Sequence, residues 1–167
     1  MIEPFRINIS NQIIENIYDK IKKYPWSKMT EINGWDHGTN FSYIKAISKY
    51  WVEDFNWKEQ ETKINKFSNF KTKVEGSDIH FIKEKGSGSN PVPLLIMHGW
   101  PGSIVEFIHI IEKLAHPEKF GGKEEDAFDV IVPSLPGFGF SSKPKTPMGP
   151  REMANIFNKF MTENLGY

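Results

Sequence analysis

Two short apolar runs, Val92-Pro-Leu-Leu-Ile-Met97 and Phe128-Asp-Val-Ile-Val132, limit what this chain can fold into more than any other feature. Brief apolar runs bounded by turn residues mark strands buried on both faces, as in a parallel sheet. Strands are therefore expected over residues 92–97 and 127–133. Between them Ile104, Phe107, Ile108, Ile111 and Leu114 share one side of a helix over 104–115, and a second helical stretch covers 151–164. Strand, helix, strand, helix is the opening half of an α/β sheet.

Upstream the periodicity differs. Phe70, Thr72 and Val74 alternate with lysines, Gly76-Ser77-Asp78 reads as a turn, and Ile79 and Phe81 alternate again, which predicts a β-hairpin. Before residue 69 the pattern is helical and rich in aromatics. Ile13, Ile14, Ile17 and Ile21 lie on one helix face behind the N-cap candidate Ser10, and Pro25 ends that helix. Phe41, Ile44, Ile47, Trp51, Val52 and Phe55 repeat at helical spacing over 41–55, and a third short helix is expected over Lys58 to Lys66. Two domains follow from this: a helical module over residues 1–69 and an incomplete α/β core over residues 70–167.

Composition removes several functions. Lys+Arg and Asp+Glu number 21 each, so the chain carries no basic footprint for nucleic acid. There is no cysteine, hence no thiolate chemistry. His37, His80, His98, His109 and His116 show no metal-site spacing, and no phosphate-cradling glycine motif follows a strand. No metal and no cofactor are expected. Without a signal-like segment or an apolar run of about 18 residues, the chain reads as soluble, cytoplasmic and free of a membrane anchor. Glu59/Glu61 and Glu124-Glu-Asp126 read as solvated faces and loops.

Ligands of open α/β sheets bind at the carboxyl ends of the strands. Two Gly-Pro loops lie at that edge: His98-Gly-Trp-Pro-Gly102 and Pro133-Ser-Leu-Pro-Gly-Phe-Gly-Phe-Ser141. Each could be a tight turn and no more, but two such loops on one edge favour a site. Gly99 and Gly102 are expected to need backbone angles or close approaches that only glycine allows, and Pro101 removes a donor. Such a loop works through backbone N–H groups. His98 is read as holding the loop by a side-chain hydrogen bond, with proton transfer as the alternative. His80 is read as a strand residue without chemical duty. Gly137-Phe-Gly-Phe-Ser141 places its serine wrongly for a nucleophile elbow, and no nucleophile–base pair is visible.

Gly34-Trp35, Gly38-Thr39, Tyr50-Trp51, Phe55-Asn-Trp57, Glu61, Asn65, Gly76, Ile79-His-Phe81, His98-Gly-Trp-Pro-Gly-Ser103, Glu106-Phe107 and the string Pro133 to Ser141 together form a recognisable set. The chain resembles the N-terminal part of α/β-hydrolase-fold epoxide hydrolases of the microsomal and juvenile-hormone type. Asn56 and Lys58 stand where that family usually has Asp and Arg, and Lys58 lacks a bidentate fork.

The resemblance implies a two-step hydrolysis in which an Asp opens a small apolar epoxide to an ester and a His-activated water cleaves that ester. It makes the backbone N–H of Trp100 an oxyanion donor, with His98, Gly99, Pro101 and Gly102 shaping the loop and the Trp100–Pro101 bond a candidate for cis. Met161-Thr-Glu-Asn-Leu-Gly-Tyr167 resembles the helix end before the family's nucleophile strand. The nucleophile, the base and the lid are thus expected to lie outside this chain, which alone is expected to be inactive. A stand-alone interaction module and part of a related esterase are the alternatives. The open strand edge implied by that ending predicts self-association.

Overall fold

The computed structural model describes residues 1–31 and 33–167. It divides into two compact units, one of Met1–Arg6 with Lys63–Tyr167 and one of Ile7–Thr62.

In the Ile7–Thr62 unit, α1 spans Asn11–Lys22, with the Ser10 hydroxyl accepting the Ile13 N–H as its N-cap. Helix α2 spans Phe41–Glu53 behind Asn40, whose side chain accepts the Tyr43 N–H. The inward line of α2 is Phe41, Ile44, Ser48 and Val52, while Ile47 and Trp51 face outward. Helix α3, Trp57–Ile64, starts in this unit. Its Glu61 is buried, so the solvated reading of that carboxylate is corrected. Glu61 accepts the Ile9 N–H at 2.6 Å, the Trp57 indole N–H at 3.2 Å and the Lys58 ammonium at 3.0 Å. Lys58 also donates to the Ile9 carbonyl, so the lysine keeps an ion pair without a fork. Burial pushes the Glu61 pKa up, but the Ile9, Lys58 and Trp57 bonds outweigh it and hold the carboxyl below its ordinary range.

The other unit is built on a five-stranded sheet in the order β1-β2-β3-β5-β4. Strand β1 (Ile2–Pro4) pairs antiparallel with β2 (Asn69–Val74); three residues are too few to show a period, so the sequence pattern did not reveal it. Strands β2 and β3 (Ser77–Glu84) form the hairpin. Its turn is Glu75-Gly76, both with positive φ (49° and 78°), as in a type I′ hairpin. Ser77 and Asp78 therefore belong to β3, not to the turn. Strand β5 (Phe128–Pro133) pairs antiparallel with β3 and parallel with β4 (Val92–Leu95), and the Ile96 N–H extends that last pairing to the Ile131 carbonyl.

The expected helix 104–115 is broken. A 3₁₀ turn covers Ile104–Phe107, and α4 covers only Ile111–Ala115. β-Branched Ile104, Val105, Ile108, Ile110 and Ile111 crowd the segment and weaken a continuous α-helix. Helix α5, Pro150–Lys159, widens into a π turn over Phe160–Asn164, closed by the Leu165 N–H on the Phe160 carbonyl. Ile156, Phe157 and Phe160 pack with Val74, Ile79, Phe81, Ile131 and Leu135 in one core cluster.

Glu61→Ala leaves the Ile9 and Trp57 donors without their acceptor. It should lower unfolding stability by roughly 2 kcal/mol, read by urea denaturation at pH 7. Because the folded-state pKa is depressed, the difference between the two proteins should be full above the ordinary value of 4.5 and shrink as pH falls below it.

Candidate functional site

Strands β4 and β5 run parallel, so their carboxyl ends deliver the 98–103 and 134–142 loops to one edge. At the end of β4, His98 is 4% exposed. Its Nε2 accepts the Leu135 N–H at 3.1 Å. A neutral imidazole whose Nε2 accepts must carry its proton on Nδ1, and Nδ1 lies 3.0 Å from the Gly99 carbonyl, to which it donates. The ring of His98 therefore bonds to both loops, to Gly99 in one and to Leu135 in the other.

The same Gly99 carbonyl accepts the Gly102 N–H at 2.8 Å, closing a four-residue turn around the cis Trp100–Pro101 bond. Carbonyl O and amide H of one trans peptide unit point in opposite directions. Two donors therefore hold the Gly99 oxygen inward and turn the Trp100 N–H outward. Among the described residues no group accepts that N–H, and Trp100 is 84% exposed.

The loop runs on into a capping box: the Ser103 N–H donates to Glu106 Oε1 at 2.9 Å and the Val105 N–H to Ser103 Oγ at 3.3 Å. A side chain on Gly102 would run into the Glu106 carboxylate and lie 3.0 Å from the Gly99 oxygen. Gly99 differs: its φ is not in the left-handed region and a Cβ there meets nothing within 4 Å. The expected need for glycine rests on Gly102, and at Gly99 it is corrected.

The 134–142 loop is tied to β3. The Ser134 N–H donates to the His80 carbonyl and the Ser142 N–H to the Asp78 carbonyl, both at 2.8 Å. In return the His80 N–H donates to Ser141 Oγ at 3.0 Å, and that hydroxyl donates to the Ser134 carbonyl at 2.7 Å. Ser141 is thus spent on structure. Gly139 carries φ +50°, and a Cβ there would lie 2.6 Å from Ser134 Oγ.

One side-chain succession escaped the sequence reading. His80 Nδ1 lies 2.9 Å from Ser134 Oγ and His80 Nε2 lies 3.0 Å from Asn69 Oδ1. Serine, histidine, amide is the order of bonds that activates a nucleophile. Yet His80 is 0% and Ser134 1% exposed, so no substrate reaches the hydroxyl. Ile79, His80, Phe81 and Ile82 are all buried, and that unbroken run, in place of alternation, was the available signal. Among the described residues no group of three or more His, Asp or Glu could hold a metal, and no helix is long and apolar enough to cross a membrane.

Comparison with known proteins gives this edge its context. The family described as "Epoxide hydrolase N terminus" matches residues 2–107, and that described as "alpha/beta hydrolase fold" matches residues 92–167. The chain belongs to the epoxide hydrolase family. It is 40% identical over 165 residues to Epoxide hydrolase 1 of Sus scrofa, covering 96% of this chain and 36% of that protein. It is 37% identical over 168 residues to a putative epoxide hydrolase of Stigmatella aurantiaca, covering 99% and 38%. The crystal structure of juvenile hormone epoxide hydrolase from Bombyx mori superposes over 100% of this chain and 40% of that one, with a TM-score of 0.85 and 31% identity. The chain therefore spans less than half the length of these epoxide hydrolases, and its architecture is the first part of an α/β-hydrolase sheet behind a helical module.

Gly102→Ala should break the Ser103 capping box and cost about 1 kcal/mol or more, whereas Gly99→Ala should change stability by less than half of that. Urea unfolding of the two variants side by side checks the ordering.

Proposed function

We propose that this chain contributes the oxyanion side of an epoxide-hydrolase active site. The observation that carries the reading is the Trp100 N–H, turned outward at the carboxyl edge of the sheet because the Gly99 oxygen is held by His98 and Gly102. In the reaction of this family, a carboxylate attacks an epoxide carbon and breaks a C–O bond, and the freed oxygen takes up a proton, giving a hydroxyalkyl ester. Water, losing a proton to a base, then adds to the ester carbonyl, the oxygen of that carbonyl gains negative charge, and collapse with return of the proton to the leaving oxygen releases the diol and the carboxylate. A fixed N–H aimed at the charged oxygen stabilises this step without reorganisation. Pro101 and Gly102 keep the turn closed, and His98 joins the two loops, donating from Nδ1 to Gly99 and accepting the Leu135 N–H at Nε2. In this reading neither the attacking carboxylate nor the base is assigned to these residues. In this reading residues 1–69 serve as the N-terminal module and residues 70–167 as the edge that meets a small apolar epoxide.

Replacing the Gly99–Trp100 amide by an ester through semisynthesis removes only that N–H. In enzyme assembled with the remainder of the fold, hydrolysis of the covalent ester should slow by roughly 10² to 10³, with its formation little changed. Equal rates would contradict the role. The purified 167-residue chain by itself should form no diol from styrene oxide above buffer. Turnover by the chain alone, abolished by His98→Ala, would place the chemistry elsewhere.

The sheet edge supports a second proposal, that this chain self-associates. Ile96 points its N–H at β5, so alternation turns Leu95 and Met97 to the open side of β4, where Pro93 needs no donor. Residues 91–97 carry no charge to repel a second copy. Light scattering coupled to size exclusion should show species above the monomer, and Val92→Lys with Met97→Lys should return them to monomer; monomer at all concentrations would contradict it.

A further inference from the structure

We infer that His80 is a positioning residue for the Trp100 N–H: as a neutral imidazole it fixes Ser134, and through Leu135 and His98 it fixes the Gly99–Trp100 peptide. This rests on the proposed role of that peptide but stands on its own geometry.

The protonation state follows from Asn69. Its amide nitrogen donates to the carbonyls of Ile64 (3.1 Å) and Phe67 (2.8 Å), so its oxygen must be the atom facing His80 Nε2. Nε2 therefore carries a proton. Nδ1, 2.9 Å from Ser134 Oγ, is then the acceptor of the serine hydroxyl. His80 and His98 are thus opposite tautomers, Nε2–H in the first and Nδ1–H in the second, each dictated by a neighbour that cannot reverse its own role.

Ser134 is gripped at two points, its N–H by the His80 carbonyl and its hydroxyl by the His80 ring. The next residue, Leu135, supplies the N–H that sets the His98 tautomer, and His98 in turn holds the Gly99 oxygen. The path from His80 to the outward N–H is continuous: hydrogen bonds of fixed direction joined by the Ser134–Leu135 and Gly99–Trp100 peptide links. No substrate touches His80, so it acts through other residues.

The ring cannot accept a second proton without cost. Phe5 and Phe140 pack against it edge-on, with centroids at 5.3 and 5.2 Å. Around it the N-terminal arm provides Phe5, the 134–142 loop Ser134, Phe140 and Ser141, and β2 Asn69 and Lys71; Lys71, its cross-strand partner, is the charged group among them. Burial, and after it the Lys71 ammonium, lowers the His80 pKa from 6.5 to about 4. A lowered histidine pKa means the unfolded chain binds the proton first. The contribution of neutral His80 is complete above pH 6.5 and is lost as pH falls towards 4.

The test is long-range 1H–15N correlation of the imidazole nitrogens in the 167-residue chain. At pH 6.5 His80 should be the Nε2–H tautomer and His98 the Nδ1–H tautomer. On acidification the Leu135 and Trp100 amide shifts should follow the His80 titration, with a midpoint near 4 and not near 6.5. His80→Leu and Ser134→Ala should each accelerate exchange of the Leu135 amide at least ten-fold while the Thr72 and Ile82 amides of the hairpin keep their protection, and His80→Gln should restore part of it. A charged or Nδ1–H His80 at pH 6.5 overturns the inference, as do Leu135 and Trp100 signals indifferent to His80. Modification of Ser134 by a fluorophosphonate also overturns it, because it would make the serine a nucleophile and not a clamp. If the variants do not fold, the wild-type tautomers and titration decide. None of these readouts involves epoxide turnover, so failure of the catalytic reading leaves them intact.

Discussion

One peptide plane organises the carboxyl edge of this sheet. The Gly99 carbonyl accepts from His98 Nδ1 at 3.0 Å and from the Gly102 N–H at 2.8 Å, and the Trp100 N–H points away because the two belong to one trans unit. Everything nearby serves to make those two donors available. Parallel pairing of β4 and β5 brings the loops together, the Leu135 N–H directs the His98 ring, and Gly102 has no side chain where Glu106 must close the cap. An exposed N–H without an internal acceptor, on a peptide whose carbonyl is held by two donors, can donate to a ligand oxygen.

The strand–helix alternation and the two Gly-Pro loops were legible because they depend on neighbours a few residues apart. Ser10 as a cap, the 41–53 helix and the β2–β3 hairpin belong to the same class. What escaped depends on partners far along the chain. Ile9 and Glu61 are 52 residues apart, His80 and Ser134 are 54 apart, and Leu135 and His98 are 37 apart. A carboxylate that meets three donors looks, in sequence, like any glutamate on a helix. The break in the 104–115 helix had a local cause in β-branched residues, but the apolar period that suggested a continuous helix was real and is satisfied by the two short pieces, since Ile104 and Ile111 are both buried.

The two glycines of the loop show why residue type and residue role must be separated. Gly102 is required by a close approach, whereas Gly99 has an ordinary backbone and open space beside it. The chain spans 36% of the Sus scrofa relative and 38% of the Stigmatella aurantiaca one.

Amide hydrogen exchange at Leu135 and Trp100 tests the central claim most directly. Leu135 donates its N–H to a buried imidazole and should be strongly protected, while Trp100 should exchange close to the rate of an unstructured peptide although its neighbours are held. Protection of Trp100 comparable with that of Leu135 would mean that its N–H is spent inside the chain, and the account of this edge as an oxyanion donor would be wrong.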